Sequence, residues 1–301
     1  MSKKISIIIL TYNSENHIYE CLNAIFRLDG YNKKEVEIII VDNNSKNVLT
    51  MFENIKNIYG DNIKLIRNSL NGGYGQGNNI GIKNSSGEYI LIMNPDVRLI
   101  NNPFKRIEEI FAKRNDVCLI GMKQWYASKQ HGLSFDFDIF GIPIIISSIL
   151  SPIFNRLNIF ISKYMYINGS CFFVRKEAFT EAGLFDENLF LYCEELDINK
   201  RLIKNKKYNK VIFCKELQYF HLAGDRSVSA KSTEIQDKSE IYCAQKYGFP
   251  LHKLIKRKIT LNRIYLLKSI IKNKKDDYTF FKNEIKRYKN KLSNINNLQH
   301  E

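Results

Sequence analysis

A chain of 301 residues with 44% hydrophobic residues and five prolines can bury a full core, which excludes a disordered or fibrous protein. Its formal net charge of +15 is unevenly spread, because from Leu251 to Glu301 fourteen Lys and Arg face only four acids. The six cysteines are far apart with no Cys-x-x-Cys pair, a usage that fits reduced core thiols rather than a zinc site or disulfide framework.

The N-terminal Ile5 to Leu10 is an apolar run cut short by Thr11, Tyr12 and Asn13. It is too short for a signal peptide and predicts a buried first strand. Ile18, Cys21, Leu22, Ile25 and Phe26 then recur at helical spacing, and Glu37 to Val41 is a second buried strand ending in Asp42-Asn43-Asn44-Ser45. Strand, helix, strand at this spacing predicts a βαβ unit and a parallel sheet. Met51 to Tyr59 reads as helix and Ile63 to Arg67 as a third strand. In such sheets ligands sit outside the carboxyl ends of the strands, where these Asn/Asp-rich turns fall.

The stretch from Asn68 to Gly81, with Asn71, Gly72 and Gly73 at its start, predicts a glycine-rich loop able to approach phosphate oxygens. It is neither a Walker loop nor the dinucleotide fingerprint, since no Gly-Lys-Ser/Thr follows and the third glycine is one place late. Tyr89 to Met93 carries no charge and is stopped by Asn94-Pro95-Asp96. That is the pattern of a strand covered on both faces, with a carboxylate at its carboxyl end where a divalent metal or a charged ligand is expected.

Pro103 to Lys113 predicts an amphipathic helix, and Gly121 to Tyr166 reads as irregular and aromatic, either a second small core or an acceptor-facing or membrane-touching lobe. Its run from Ile139 to Phe154 falls short of a membrane span and is broken by Gly141, Pro143 and Pro152. Tyr166 to Val174 predicts a strand, and Glu177 to Ala182 a short helix. Glu194, Glu195 and Asp197 open another helix, where acids suit the first turn and Asp197 can pair with Arg201. Because they follow an aromatic run, one of them is also a candidate general base. His221, after a strand-like Val211 to Phe220, is a candidate ligand.

The ordered set Ile8–Ser14, Ile40–Ser45, Asn71–Gly81, Met93–Val97, Asn168–Ser170, Phe190–Asp197 and His221 with Gly224 resembles family 2 glycosyltransferases of the GT-A fold, in particular their rhamnosyltransferase-like branch. The resemblance spans roughly residues 5 to 230. It implies an α/β fold with a Rossmann-like, mixed and mostly parallel sheet flanked by helices. The implied division is a GT-A domain over 1–250, with a nucleotide-sugar half (1–100) and an acceptor half (101–250), and a basic helical extension over 251–301. It further implies an inverting transfer of a sugar, rhamnose being one candidate, from a nucleoside-diphosphate sugar to a hydroxyl of a glycan or lipid-linked glycan in bacterial surface glycan synthesis. Carried over residue by residue, Thr11, Asn13 and Asp42 hold base and ribose, Asn71, Gly72 and Gly73 line the diphosphate, and Asn94 replaces the first acid of the family's Asp-x-Asp. Asp96 and His221 then ligate Mg²⁺ or Mn²⁺. The base falls at Glu195, where the family pattern has Asp, with Glu194 or Asp197 as alternatives.

The tail at 251–301 has apolar residues at helical spacing among its cations. Two readings stay open for it: a helical hairpin packed on the body, and a peripheral anchor on an anionic membrane at the cytoplasmic face. Nothing in the sequence decides between a monomer and a homodimer. Two rivals rank below the transferase. A sugar-phosphate nucleotidyltransferase lacks its usual loop after the first strand. A nucleic-acid-binding protein would use the charge, but the charge lies outside the βαβ body and no reader motif is visible.

Overall fold

The structure is a computed structural model, and it describes residues 3–222 and 229–297. Strands β1 (Ile5–Thr11), β2 (Val36–Asp42), β3 (Ile63–Arg67) and β4 (Tyr89–Met93) pair in parallel in the order β3-β2-β1-β4. The sheet continues through β9 (Cys171–Arg175), β6 (Val117–Tyr126), β10 (Lys210–His221) and the short β5 (Val97–Leu99). β9 is antiparallel to both neighbours, β10 is parallel to β6, and β5 is antiparallel to β10. The expected mixed, mostly parallel sheet is the one observed.

Period-two alternation divides the core. Ile5, Ile7 and Ile9 face one layer with α1 (Glu15–Phe26), α2 (Val48–Tyr59) and α4 (Phe104–Lys113), while Ile8 faces the other with α3 (Gly73–Lys83) and α6 (Lys176–Glu181). A two-stranded ribbon, β7 (Phe135–Phe137) with β8 (Met165–Ile167), carries α5 (Ile144–Leu157). Helix α7 (Glu194–Leu202) packs on β8, and α8 (Ala230–Lys246), α9 (Leu251–Ile271) and α10 (Lys275–Asn297) follow.

Three expectations are corrected. The glycine stretch is mostly helix: Asn68 to Gly72 precede α3, and the rest from Gly73 lies within it. Its glycines permit close packing: a Cβ at Gly77 would lie 2.3 Å from Leu10, at Gly81 2.4 Å from Ile8, and at Gly75 2.9 Å from Phe185. Residues 121–166 are ordered into the end of β6, the ribbon and α5, with Gly141 and Pro143 before the helix and Pro152 on its exposed side. The strand expected over Tyr166 to Val174 is interrupted at Asn168-Gly169-Ser170, where Ser170 N–H turns back to Asn168 Oδ1 (3.0 Å).

The tail is a helical hairpin held to the body by one buried carboxylate. Asp237 on α8 accepts from Lys258 (2.8 Å), Arg287 (2.7 Å), Tyr288 (2.7 Å) and Lys291 (3.1 Å). Burial acts to raise the Asp237 carboxyl, but the charge of Lys258 and the surrounding hydrogen bonds outweigh it and hold the group at about 2. Glu240 shares Lys258 at 2.6 Å. Helix α9 thus closes one side of a cleft rather than hanging free.

Candidate active site

The carboxyl ends of β1 and β2 meet in register at Thr11 and Asp42, both wholly buried. Thr11 Oγ1 donates to Asp42 Oδ2 (2.9 Å), which also accepts from Ser45 Oγ, while Ser45 N–H donates to Oδ1 (2.7 Å). Asn13 is exposed in the left-handed region (φ 49°), its N–H bound to Ser45 Oγ (2.7 Å). Asp42 and Thr11 therefore spend their polar atoms ordering the two turns, and Asn13 is the one of the three that faces solvent.

At the end of β3, Asn68 Nδ2 donates to Asn43 Oδ1 (3.0 Å), and Asn43 Nδ2 reaches Gly73 O (2.8 Å) and Asn71 Oδ1 (3.3 Å). Asn71 Oδ1 also takes the Gly73 N–H (3.0 Å), and the Tyr74 N–H goes to Phe190 O (2.8 Å). Gly73 has φ 90°, and a Cβ there would lie 2.1 Å from Phe190 O, so this site demands glycine. Two amides at the start of α3 are thus already engaged, and this turn joins the carboxyl edge of β2 and β3 to the Phe190 segment.

Asn94, Pro95 and Asp96 follow β4 as a turn closed by Val97 N–H to Asn94 O (3.1 Å). The pairing of β10 with β5 sets His221 opposite Val97 and brings His221 Nε2 to 3.3 Å from Asp96 Oδ1. Nε2 is buried and makes no hydrogen bond among the described residues. An orphaned imidazole nitrogen beside a carboxylate is a donor pair that fits a divalent cation. Among the described residues no group of three or more His, Cys, Asp or Glu could hold a metal by itself. The pair fits an ion completed by substrate oxygens and water, the usual arrangement for Mg²⁺. Gly224 lies outside the described residues.

The three carboxylates of α7 have three different fates. Asp197 is wholly buried and ion-paired with Arg201 (2.7 Å) and Lys246 (2.6 Å), and it accepts from Tyr247 (2.6 Å), which makes it structural. Glu194 is buried with Oε2 unbonded, and burial together with Glu195 pushes its carboxyl well above the usual range. Glu195 is half-buried, lines a cleft of about 520 Å³ and accepts from Gly169 N–H (3.3 Å); burial raises its carboxyl as well. Tyr192 and Cys193, just before, both have positive φ (72° and 70°), strain of a kind that accumulates at functional sites.

The cleft is walled by Ile144, Ser147, Ser148 and Ser151 of α5, Tyr166 and Asn168 at the ribbon, Gln236 and Glu240 of α8, and the Arg257–Leu261–Ile264–Lys268 stripe of α9. Sequence reasoning left α5 undecided and read the tail apart from the site. The readable signal was serine spacing of 147, 148 and 151, one helical face inside an apolar run. A three-residue loop joins the two sides: Ser170 O accepts the Asn94 N–H (2.9 Å), while Gly169 N–H holds Glu195. Below it Ser170, Gln124 and Tyr219 form a buried hydrogen-bonded triad.

This architecture is that of the GT-A glycosyltransferases. The family model described as Glycosyl transferase family 2 matches residues 6–182, more than half of the chain, and the protein belongs to that family. It is 27% identical over 222 residues to the minor teichoic acid biosynthesis protein GgaA of Bacillus subtilis, covering 72% of this chain and 46% of that one. It is 33% identical over 123 residues to the poly(ribitol-phosphate) beta-N-acetylglucosaminyltransferase TarS of Staphylococcus aureus, covering 40% and 21% respectively. The chain thus spans less than half the length of these relatives. In fold it is similar to S. aureus TarS 1-349 in complex with UDP-GlcNAc (TM-score 0.55, 16% identity, 94% and 92% of the two chains). It is also similar to a Pyrobaculum calidifontis mannosyltransferase in complex with GDP-Man and Mn²⁺ (TM-score 0.55, 14% identity, 75% and 59%).

Proposed function

We propose that this protein moves a sugar from a nucleoside-diphosphate sugar to a hydroxyl of a surface-glycan acceptor, with inversion at the anomeric carbon. The observation that carries the reading is the Asn168–Ser170 loop, which ties the Asn94–Asp96 turn on one side to Glu195 on the other. Donor and acceptor are thereby assigned to opposite sides of one backbone segment.

On the donor side, Asn13 and the turns ordered by Thr11 and Asp42 face the nucleoside, and Asn71, Gly72, Gly73 and Asn94 border the diphosphate. Asp96 and His221 would hold Mg²⁺ or Mn²⁺, which when bound neutralises charge on the departing diphosphate. On the acceptor side Glu195 removes the proton from the hydroxyl. The oxygen then bonds to the anomeric carbon while the bond to the diphosphate breaks, and the electron pair leaves on the nucleoside diphosphate. A carboxyl raised by burial is a stronger base once ionised, which supports Glu195 in that role. The ion pairs of Asp197 and the inward position of Glu194 argue against both alternatives.

The relatives named for N-acetylglucosaminyl and glucosyl transfer make UDP-sugars the first donors to test, beside the rhamnosyl donor suggested by the motif order. Their teichoic acid and poly(ribitol-phosphate) names support a polyol-phosphate or lipid-linked acceptor. We place the protein at the cytoplasmic face of the membrane, with the cations of 251–301 toward anionic lipid; no helix among the described residues is long and apolar enough to cross a bilayer. A thermal-shift panel of UDP-GlcNAc, UDP-glucose, GDP-mannose and dTDP-rhamnose with Mn²⁺ tests the donor. A ligand at a hundred times its Kd adds about 2.7 kcal/mol. Failure of every nucleotide sugar to stabilise the chain overturns the reading.

A further inference from the structure

Helix α5 has two faces of different character. One face, through Ile144, Ser147, Ser148 and Ser151, lines the cleft that holds Glu195. The other carries Ile145, Ile146, Ile149, Ile153 and Leu157, each between 46% and 60% exposed. Their spacing of one, four, eight and twelve from the first makes a single stripe along the helix. Ile159, Ile161 and Tyr164 extend it, all exposed by about two fifths. The helix is not loosely attached, because Asn155 on its inner face accepts from Ser134 N–H (2.7 Å) and donates to Phe135 O (2.9 Å). An anchored helix that holds five large aliphatic side chains in water presents an interaction surface.

Charge identifies what covers it. From Ile139 to Tyr166 there is no acidic residue, and the only charges are the exposed Arg156 and Lys163. Helix α9 packs against α5 and borders the same cleft, and from Leu251 to Ile271 it too lacks any acid while carrying six Lys and Arg. Its distal end repeats the mixture: Leu267, Ile270 and Ile271 are exposed, the last by 83%, beside exposed Lys268, Lys272, Lys274 and Lys275. Asp276 and Asp277 are the acids next to this end, Asp277 lying 3.9 Å from Lys274, and the cations outnumber them. Aliphatic side chains with a surplus of surrounding cations match the interface of an anionic bilayer, where apolar groups enter the acyl boundary and cations meet the headgroups.

We propose that the outer stripe of α5, together with the distal end of α9, seats the protein on an anionic lipid bilayer, with the Glu195 cleft opening beside the contact. The basic tail supplies attraction and α5 supplies insertion, the two signals that stable peripheral binding requires. The use of this seating to meet a lipid-borne acceptor rests on the transferase reading; the seating itself does not.

The test uses the full chain, since removing the tail would strip Asp237 and Glu240 of Lys258. Co-sedimentation is measured with vesicles of phosphatidylcholine alone and of phosphatidylcholine mixed with phosphatidylglycerol. The wild type is expected to bind only the mixed vesicles. Ile149→Glu with Ile153→Glu should weaken that binding by roughly a hundredfold, and Lys272→Glu with Lys275→Glu by about tenfold or more. All four side chains point outward, so the thermal melt should stay unchanged. Vesicle binding untouched by the isoleucine pair overturns the proposal. So does a dimer in sedimentation equilibrium that the same pair dissolves without affecting vesicle binding. A wild type that binds vesicles but is stabilised by no nucleotide sugar supports the seating and counts against the transferase.

Discussion

The two sides of the Asn168–Ser170 loop are built on different principles. On the proposed donor side the polar residues at the strand ends are bonded to one another, as Thr11, Asp42 and Ser45 are, so the turns are held by the chain's own hydrogen bonds. On the proposed acceptor side buried Glu194 and half-buried Glu195 lie side by side with no ion pair among the described residues, while the surrounding helices supply the walls. The first arrangement fixes position, and the second leaves two carboxyls raised by burial. Asp197, two residues from Glu195, shows how little sequence distance separates the two: there the carboxylate is neutralised by Arg201 and Lys246 and becomes scaffold.

That contrast can be broken most severely at Asp96. Asp96→Ala should abolish turnover, by about 10⁴-fold or more if a cation bridge is lost, and Mn²⁺ should no longer enhance donor stabilisation. Full activity with excess Mn²⁺ would refute the assignment. Glu195→Gln should lower kcat by roughly 10² to 10⁴ while donor binding persists. Because the raised carboxyl must ionise to act, the wild-type rate should fall with acid at a pH above the ordinary value of 4.5, and the variant should lose that limb. A dead Glu194→Gln beside an active Glu195→Gln would exchange their roles.

Asp197→Asn sharpens the comparison from the structural side. It leaves Arg201 without its carboxylate and Lys246 with Asp186 alone, and should cost about 3 kcal/mol of stability, read as a fall in the denaturant midpoint. The smallest effect belongs to Asp237. Its carboxyl is held at about 2, below the ordinary 3.8, so its contribution is complete above about pH 4 and disappears as pH falls toward 2. With solvent screening allowed for, that amounts to about 1–2 kcal/mol. Hydrogen exchange in α9 and α10 should rise over that interval, and Asp237→Asn should remove the pH dependence.

The N-terminal part of the sheet was readable because its strands are apolar runs that end in polar turns, and a run such as Tyr89–Met93 has little else to become. The glycine stretch misled because glycine density suggests a loop, whereas Gly73, Gly77 and Gly81 stand four apart and share one face of α3. In α5, Gly141, Pro143 and Pro152 advertised irregularity, yet the first two precede the helix and the third faces solvent. The Asp197–Lys246 pair spans forty-nine positions and the Asp237–Tyr288 bond fifty-one, separations over which no local pattern operates.

Helix α9 has a consequence for the order in which the protein becomes complete. Synthesis runs from the N-terminus, and domains begin folding as they emerge. The donor-side strands and the helix bearing Glu195 therefore leave the ribosome before the Arg257–Lys268 wall of the cleft exists. Until α9 arrives, Asp237 and Glu240 lack Lys258, and the cleft stands open along one side. A nascent chain halted before Leu251 would hold its strand-end turns in place with one wall of the Glu195 cleft missing, so on the proposed reading translation delays the moment at which an acceptor is enclosed.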